Sequence, residues 1–461
     1  MNRLTMMTAA VPWMMIGAQW SGCAHGQHDR YEELQSALRE EEHSSVKATQ
    51  TEEPVVFPSD GPLHREALVH AVLARNPNLE ASRQAWRAAL AQHPQARSLE
   101  DTRASYSLAP LSIRSDEVRF GQVVRLEQRF PTPGKLRFAG QVALAEAEAE
   151  QANYEAVRLT LALMASSLFD EYYRLTRLLE LNEEHRQLIE DIRASAMVQY
   201  EAGRVSQQDP LQAEVELAHI IHQRVVLRSQ RDVVVAQING LLHQRPDLPL
   251  PAPPARTQPR PTDIGPSESL QREAIESRPE LRAAQAEMRA ASSSVSLAKR
   301  NYSPEIGLMG EYNSMWAQTD HQWMTGVSLN LPLQIRARKG AVDEAEARAQ
   351  QAAAELTAMR DDVRVEVDQA RQRMLEARHV VRLYQERLIP AARAQIDAAE
   401  FGYETGRNSF QALIDAERSL RTLEIQYEDS LADLGQRAAE LDRARGIVPG
   451  ISAEGGHDER P

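Results

Sequence analysis

The sequence predicts a mainly α-helical chain with a small membrane β-barrel portion, built from one unit used twice. Three observations predict it: long runs of helix-forming residues, two pairs of alternating strands, and self-similarity at a spacing of roughly 200 residues. At 461 residues the chain exceeds one compact core and suggests two or three units. A net charge of −13 disfavours a nucleic-acid binder, which needs a basic stripe to displace counterions from phosphates. Aromatics make up only 5% of the chain, with seven Phe, so Ala and Leu must carry the helix packing. No window of about 18 consecutive apolar residues occurs, which excludes a membrane-spanning helix.

The duplication is clearest where residues 200–214, YEAGRVSQQDPLQAE, align with 403–417, YETGRNSFQALIDAE, with eight of fifteen positions identical. Upstream, Asn76-Pro77-Asn78-Leu79 lines up with Arg278-Pro279-Glu280-Leu281, and Phe130-Pro131 with Leu331-Pro332. The seam lies at 246–266, where eight of 21 residues are Pro and the chain must stay extended.

Taken in order, residues 1–22 carry Arg3, a moderately apolar stretch from Met6 to Trp20, then Ser21-Gly22-Cys23. Small residues before the chain's one cysteine resemble a lipoprotein export signal, in which Cys23 becomes the lipid-bearing N-terminus. The alternative is an incidental free thiol. Residues 24–60 read as a polar tether with little periodicity. Each copy then opens with a short helix, about 63–92 and 268–300, followed by two strands. From Val118 to Phe130 one face is mostly apolar (Val118, Phe120, Val124, Leu126, Phe130) and the other mostly charged (Arg119, Arg125, Glu127, Arg129). Residues 321–331 alternate likewise, whereas 103–109 and 305–315 are weaker. Membrane strands need about 9–11 such residues; a soluble sandwich is the alternative, but no material for its core is evident. Gln141–Ala202 holds neither Gly nor Pro and would form a rod of roughly 90 Å. The second copy offers Ala341–Ile389, with a continuation past Pro390 to Phe401, and return helices are expected at about 208–240 and 411–445.

No catalytic constellation emerges. Gly134-Lys135 lacks the first glycine of a phosphate-binding loop, and no Gly-x-Ser-x-Gly stretch occurs. His219 and His222 could share a metal only with a third ligand, and none lies nearby in sequence, so the pair reads as a solvated helix edge. No cofactor, metal or reaction is assigned.

The duplicated long-helix units with their strand pairs, the twin turns at 200–206 and 403–409, and Phe130-Pro131-Thr132-Pro133-Gly134-Lys135 leaving the second strand together resemble the TolC family of outer-membrane efflux proteins. The resemblance covers about residues 62–446. It implies a homotrimer whose chains jointly form a twelve-stranded β-barrel and a long α-helical periplasmic tunnel. Closure demands partners independently, since four strands cannot seal a barrel in lipid. The expected division is an export signal over 1–22, a tether over 23–61, a first repeat over 62–245, a Pro-rich linker over 246–267, a second repeat over 268–446 and a tail over 447–461.

The resemblance also places the control point at the helix-hairpin tips. Asp415 matches an aspartate that rings the pore in that family; the family's other ring position is Ala412 here, and Asp209 is its first-copy counterpart. Asp209 reads equally as a helix N-cap before Pro210. Gly203, Arg204, Gly406 and Arg407 form the turns that a periplasmic adaptor protein would grip. The implied function is a passive outer-membrane conduit, working with that adaptor and an inner-membrane pump, favoured as the resistance-nodulation-division (RND) type. The cargo would be metal cations, weakly indicated by the Pro-Gly-Lys exit and the lipid anchor, or small toxic compounds. The competing class is a periplasmic adaptor or a coiled-coil structural protein of an export system.

Overall fold

The computed structural model describes residues 25–49, 57, 61–114, 120–255, 264–316 and 318–451; the export-signal segment and Cys23 lie outside them. The chain forms two compact units: Met1–Glu42, Gln84–Gln151 and Ala283–Leu356 in the first, and His43–Arg83, Ala152–Arg282 and Thr357–Pro461 in the second. Helices dominate, and among the described residues none is long and apolar enough to cross a membrane.

The first unit holds a four-stranded antiparallel sheet, β1 Arg103–Ala109, β2 Gly121–Phe130, β3 Glu305–Asn313 and β4 Trp323–Asn330, in the order β1-β2-β3-β4. Both repeats contribute a strand pair, and β2–β3 pairing joins them. The register sorts the faces. Tyr106, Val124, Tyr312 and Trp323 form one row across all four strands, and Phe130, Ile306 and Leu329 form another six residues along. At about 3.3 Å per residue the rows stand roughly 20 Å apart. This face is apolar yet bare: Trp323 is 73% exposed and Val327 71%. On the opposite face the Arg125 guanidinium donates to Glu311 Oε2 at 2.6 and 2.8 Å.

The chain leaves β2 through a turn at Gly134, whose φ of 92° suits glycine. Lys135 opens α4 (Lys135–Glu201) and pairs with Glu305 at 2.6 Å, at the start of β3. The helix therefore begins before Gly140, which the sequence reading left outside. A Cβ at Gly140 would meet Arg97 Cγ at 2.6 Å, so the absent side chain permits close approach of the neighbouring helix.

Two further differences have clear causes. Residues 24–60, expected as a tether, include the helix α1 (His25–Thr49). It buries Leu34 and Leu38, stacks Tyr31 on His93 at 4.7 Å between centroids, and sets Arg30 against Glu148 at 2.7 Å. Its two apolar anchors are one turn apart, too few to register against so polar a background. The single short helix expected in each copy is two: α2 (Arg65–Arg75) and α3 (Pro77–Arg97) in the first, and α6 (Ser267–Ser277) and α7 (Pro279–Arg300) in the second. Pro77 and Pro279 start the second helix of each pair, where the missing N–H costs nothing, and force extended backbone at Asn76 and Arg278.

In the second unit α4 meets α5 (Gln208–Leu241) at one tip. The long helix α8 (Ile335–Leu383) passes through a π-helical turn at Tyr384–Leu388 into α9 (Ile389–Glu404), which meets α10 (Phe410–Ala444) at the other tip. The π turn ends two residues before Pro390, and the helical path continues past the proline to Glu404, slightly beyond the expected Phe401. Near α2, Asp170 is buried against Arg65, and the absence of a side chain at Gly435 makes room for its carboxylate.

Candidate functional site

Both tips are built the same way from equivalent residues. In the first, Gly203 has φ of 70°, its N–H donates to Tyr200 O, and the Arg204 N–H donates to Gln199 O. In the second, Gly406 has φ of 71°, its N–H donates to Tyr403 O, and the Arg407 N–H donates to Gly402 O. This double hydrogen bond closes a helix end only when a left-handed residue follows it. The four turn residues named from the sequence are exposed.

The copies differ in what surrounds the turn. Tyr200 is exposed, whereas Tyr403 is buried against Phe410, with ring centroids 5.4 Å apart. The Tyr403 hydroxyl donates a long bond, 3.4 Å, to Asp209 Oδ2. Burial first, and the Asp209 charge second, push its pKa up to about 12. Asp209 is not an N-cap: α5 starts one residue before it, and Ser206 Oγ accepts from the Gln208 N–H while approaching Asp209 Oδ1 at 3.4 Å. In the second copy Ser409 caps α10 by accepting from the Ala412 N–H. Asp415 is exposed on α10, accepts from Gln411 Nε2 at 2.8 Å and has Arg418 at 3.5 Å. Gln212 Nε2 donates to Gln411 Oε1 at 2.5 Å, a polar tie between α5 and α10. Asp209 and Asp415 thus sit at the same end of the hairpins, each with its own polar partners.

Behind the tips lies an apolar core drawn from all four helices, including Ile192, Ala196, Leu217, Ile396, Leu413 and Ile414. Next to it is a buried charge network that the sequence reading missed. His185 on α4 lies between two α10 carboxylates, with Nδ1 3.1 Å from Glu417 and Nε2 3.0 Å from Glu424. Arg421 stands 3.4 Å from both Glu417 and Glu216, and Arg418 also pairs with Glu216. Arg393 on α9 reaches Glu424 at 2.9 Å. The hydrogen bond from Arg418 is the largest influence on Glu216 and holds its carboxyl below the usual range. For Glu424 burial works the other way, yet His185 and Arg393 together keep it low. A signal was present: Glu417, Arg421 and Glu424 continue the three- and four-residue spacing of Leu413, Ile414 and Leu420. Charges inside an apolar stripe announce buried partners.

His219 and His222 are both exposed on α5, and among the described residues no group of three or more His, Cys, Asp or Glu converges to hold a metal.

Comparison with known proteins identifies the fold. Residues 270–446 match the family described as outer membrane efflux protein. No curated protein matches the sequence. Among solved structures, the outer-membrane channel OprN is 20% identical, with 84% of this chain and 91% of that chain covered and a TM-score of 0.71. The outer membrane protein VceC from Vibrio cholerae is 19% identical (83% and 96% covered, TM-score 0.69). CusC, for which a transmembrane channel is described, is 17% identical (86% and 97% covered, TM-score 0.71). The second repeat thus matches the outer membrane efflux protein family over residues 270–446, and the chain shares its fold with solved outer-membrane channels.

Proposed function

We propose that three copies of the chain form the outer-membrane exit duct of a tripartite efflux system, a passive conduit from periplasm to exterior. The observation that carries this reading is the sheet. It has two unpaired edges, β1 and β4, and an apolar face bounded by an aromatic row, Tyr106, Tyr312 and Trp323. Unpaired strand edges in hydrocarbon leave each backbone group at a cost of several kcal/mol, so insertion requires closure. Three sheets of four strands supply twelve. The rows roughly 20 Å apart suit the apolar band of such barrels, about 25 Å tall. The Arg125–Glu311 face then lines water. An adaptor or coiled-coil structural role is not favoured, because neither requires an exposed apolar sheet.

The hairpin tips act as the periplasmic gate, with Asp209 and Asp415 bringing carboxylates toward the threefold axis, where they repel one another and attract cations. The turns at Gly203-Arg204 and Gly406-Arg407 present exposed cationic tips to the adaptor, which links the duct to an inner-membrane pump, favoured as the RND type. Cys23 anchors the mature N-terminus in outer-membrane lipid. Metal cations or small toxic compounds are the cargo class. The test is extraction and reconstitution: the full chain requires detergent, runs as an SDS-resistant trimer and gives single-channel currents in a planar bilayer. A monodisperse monomer in plain buffer sinks the proposal. Asp415→Ala should weaken block by divalent cations at least severalfold; unchanged block removes Asp415 from the gate.

A further inference from the structure

We propose that His185 is a proton-operated clasp that holds the α4–α5 hairpin to the α9–α10 hairpin, closed when the imidazole carries both protons and loosened as the proton leaves. The inference goes beyond the gate reading and rests on it only for the consequence to conduction.

The geometry is two-sided. Both ring nitrogens face carboxylates: Nε2 is hydrogen-bonded to Glu424 at 3.0 Å, and Nδ1 stands 3.1 Å from Glu417 as a close charge contact outside hydrogen-bonding geometry. An imidazolium donates from both nitrogens, whereas the neutral ring has one N–H and must turn a lone pair toward the other carboxylate. Glu417 is fully buried, so water cannot offset its charge once the neighbouring imidazolium charge is gone. The charged groups packed around the ring are Glu417, Arg421 and Glu424 from α10, Glu216 and His222 from α5, and Arg393 from α9 through Glu424. The arginines stay charged throughout, and His185 is the histidine held between the two α10 carboxylates, so its proton makes or breaks the contact. Burial alone would lower its pKa, but the two carboxylates outweigh it and raise the value. The clasp is therefore fully formed below the ordinary histidine range and is lost as pH rises through the raised value. A cleft of about 350 Å³, walled by Leu178, Leu181, Val226 and Leu227, reaches His185 and provides a path for the proton.

The position gives the clasp leverage. Nearer the tips, the polar ties between the hairpins include the Gln212–Gln411 contact, the long Tyr403–Asp209 bond and the pairs of Arg418 and Arg421 with Glu216. At the other side, the π-helical turn at Tyr384–Leu388 joins α9 to α8 and holds Gln426 of α10 through the Tyr384 hydroxyl. Such turns recur at functional sites, and this one supplies a pivot for the α9–α10 hairpin.

The experiment places nitroxides at Gln212→Cys and Gln411→Cys in the full-length protein and reads their dipolar broadening at pH 6 and pH 8.5. The strongly coupled fraction should fall at least twofold at the higher pH. In His185→Gln it should be low and equal at both. In Glu424→Gln, which removes the less buried pole and does not depend on the first variant folding, the transition should move to lower pH. A pH-independent wild type, or an unshifted transition in Glu424→Gln, overturns the clasp. Bilayer currents recorded alongside separate the two claims. Absence of current at either pH counts against the conduit, while the broadening alone decides the clasp.

Discussion

At the residue scale the buried ionisable groups set the pH response. Asp170 on α4 is almost fully buried; desolvation outweighs the adjacent Arg65 guanidinium and pushes its carboxyl up to about 7. A carboxyl whose pKa is raised on folding binds its proton more tightly in the folded state. Its contribution to stability is complete below about 4 and is lost as pH rises to about 7. Asp170→Asn should therefore flatten the decline in denaturation midpoint between pH 4 and pH 7, and an unchanged slope would refute the assignment. The same carboxylate accounts for Gly435, where an added Cβ would lie 2.6 Å from Asp170 Oδ1. Gly435→Ala should cost about 1–3 kcal/mol through that overpacking, measured by chemical denaturation. At the tips the reason differs. Nothing lies within 4 Å of a Cβ built on Gly203 or Gly406, so alanine there costs only the left-handed backbone, about 1–2 kcal/mol.

At the element scale the sheet and α1 make separate statements. Val327 and Ser328 are consecutive on β4 and so face opposite sides. If the apolar face meets lipid, Val327→Arg should lower insertion stability by about 2–4 kcal/mol, while Ser328→Arg leaves the yield of inserted trimer unchanged. Equal losses would place both faces in water. For α1 the anchors are Leu34 and Leu38. Leu34→Ala should raise hydrogen exchange across 25–42 while protection in β2 and β3 stays as it was, since a cavity of this kind costs about 2–5 kcal/mol locally. Uniform protection loss would mean that α1 is integral to the unit and not a docked element.

At the scale of the whole molecule, the repeat architecture was legible because it is written in periods. Alternation over β2 and β4, the run that became α4, and the turn glycines each leave a pattern within one element. The strands β1 and β3 and the helix breaks at Asn76 and Arg278 were harder, since a single proline decides the latter. Part of the candidate site was legible too: Gly203, Arg204, Gly406, Arg407, Asp209 and Asp415 all fall at the tips. Their asymmetry was not. Equivalent tyrosines at 200 and 403 have opposite burial, because packing between the hairpins is not twofold.

The sequence by itself determined the duplication, the long helices, the strand pairs and the turns between the hairpin arms, all of which depend on neighbours a few residues apart. Only the tertiary structure decided that His185, Glu216, Glu417 and Glu424 form one buried network. Those groups are up to 239 residues apart along the chain, and their charge states follow from who faces whom after the hairpins pack. A helical period states which face a residue occupies; the partner across that face is fixed by burial and Coulomb attraction in the folded chain.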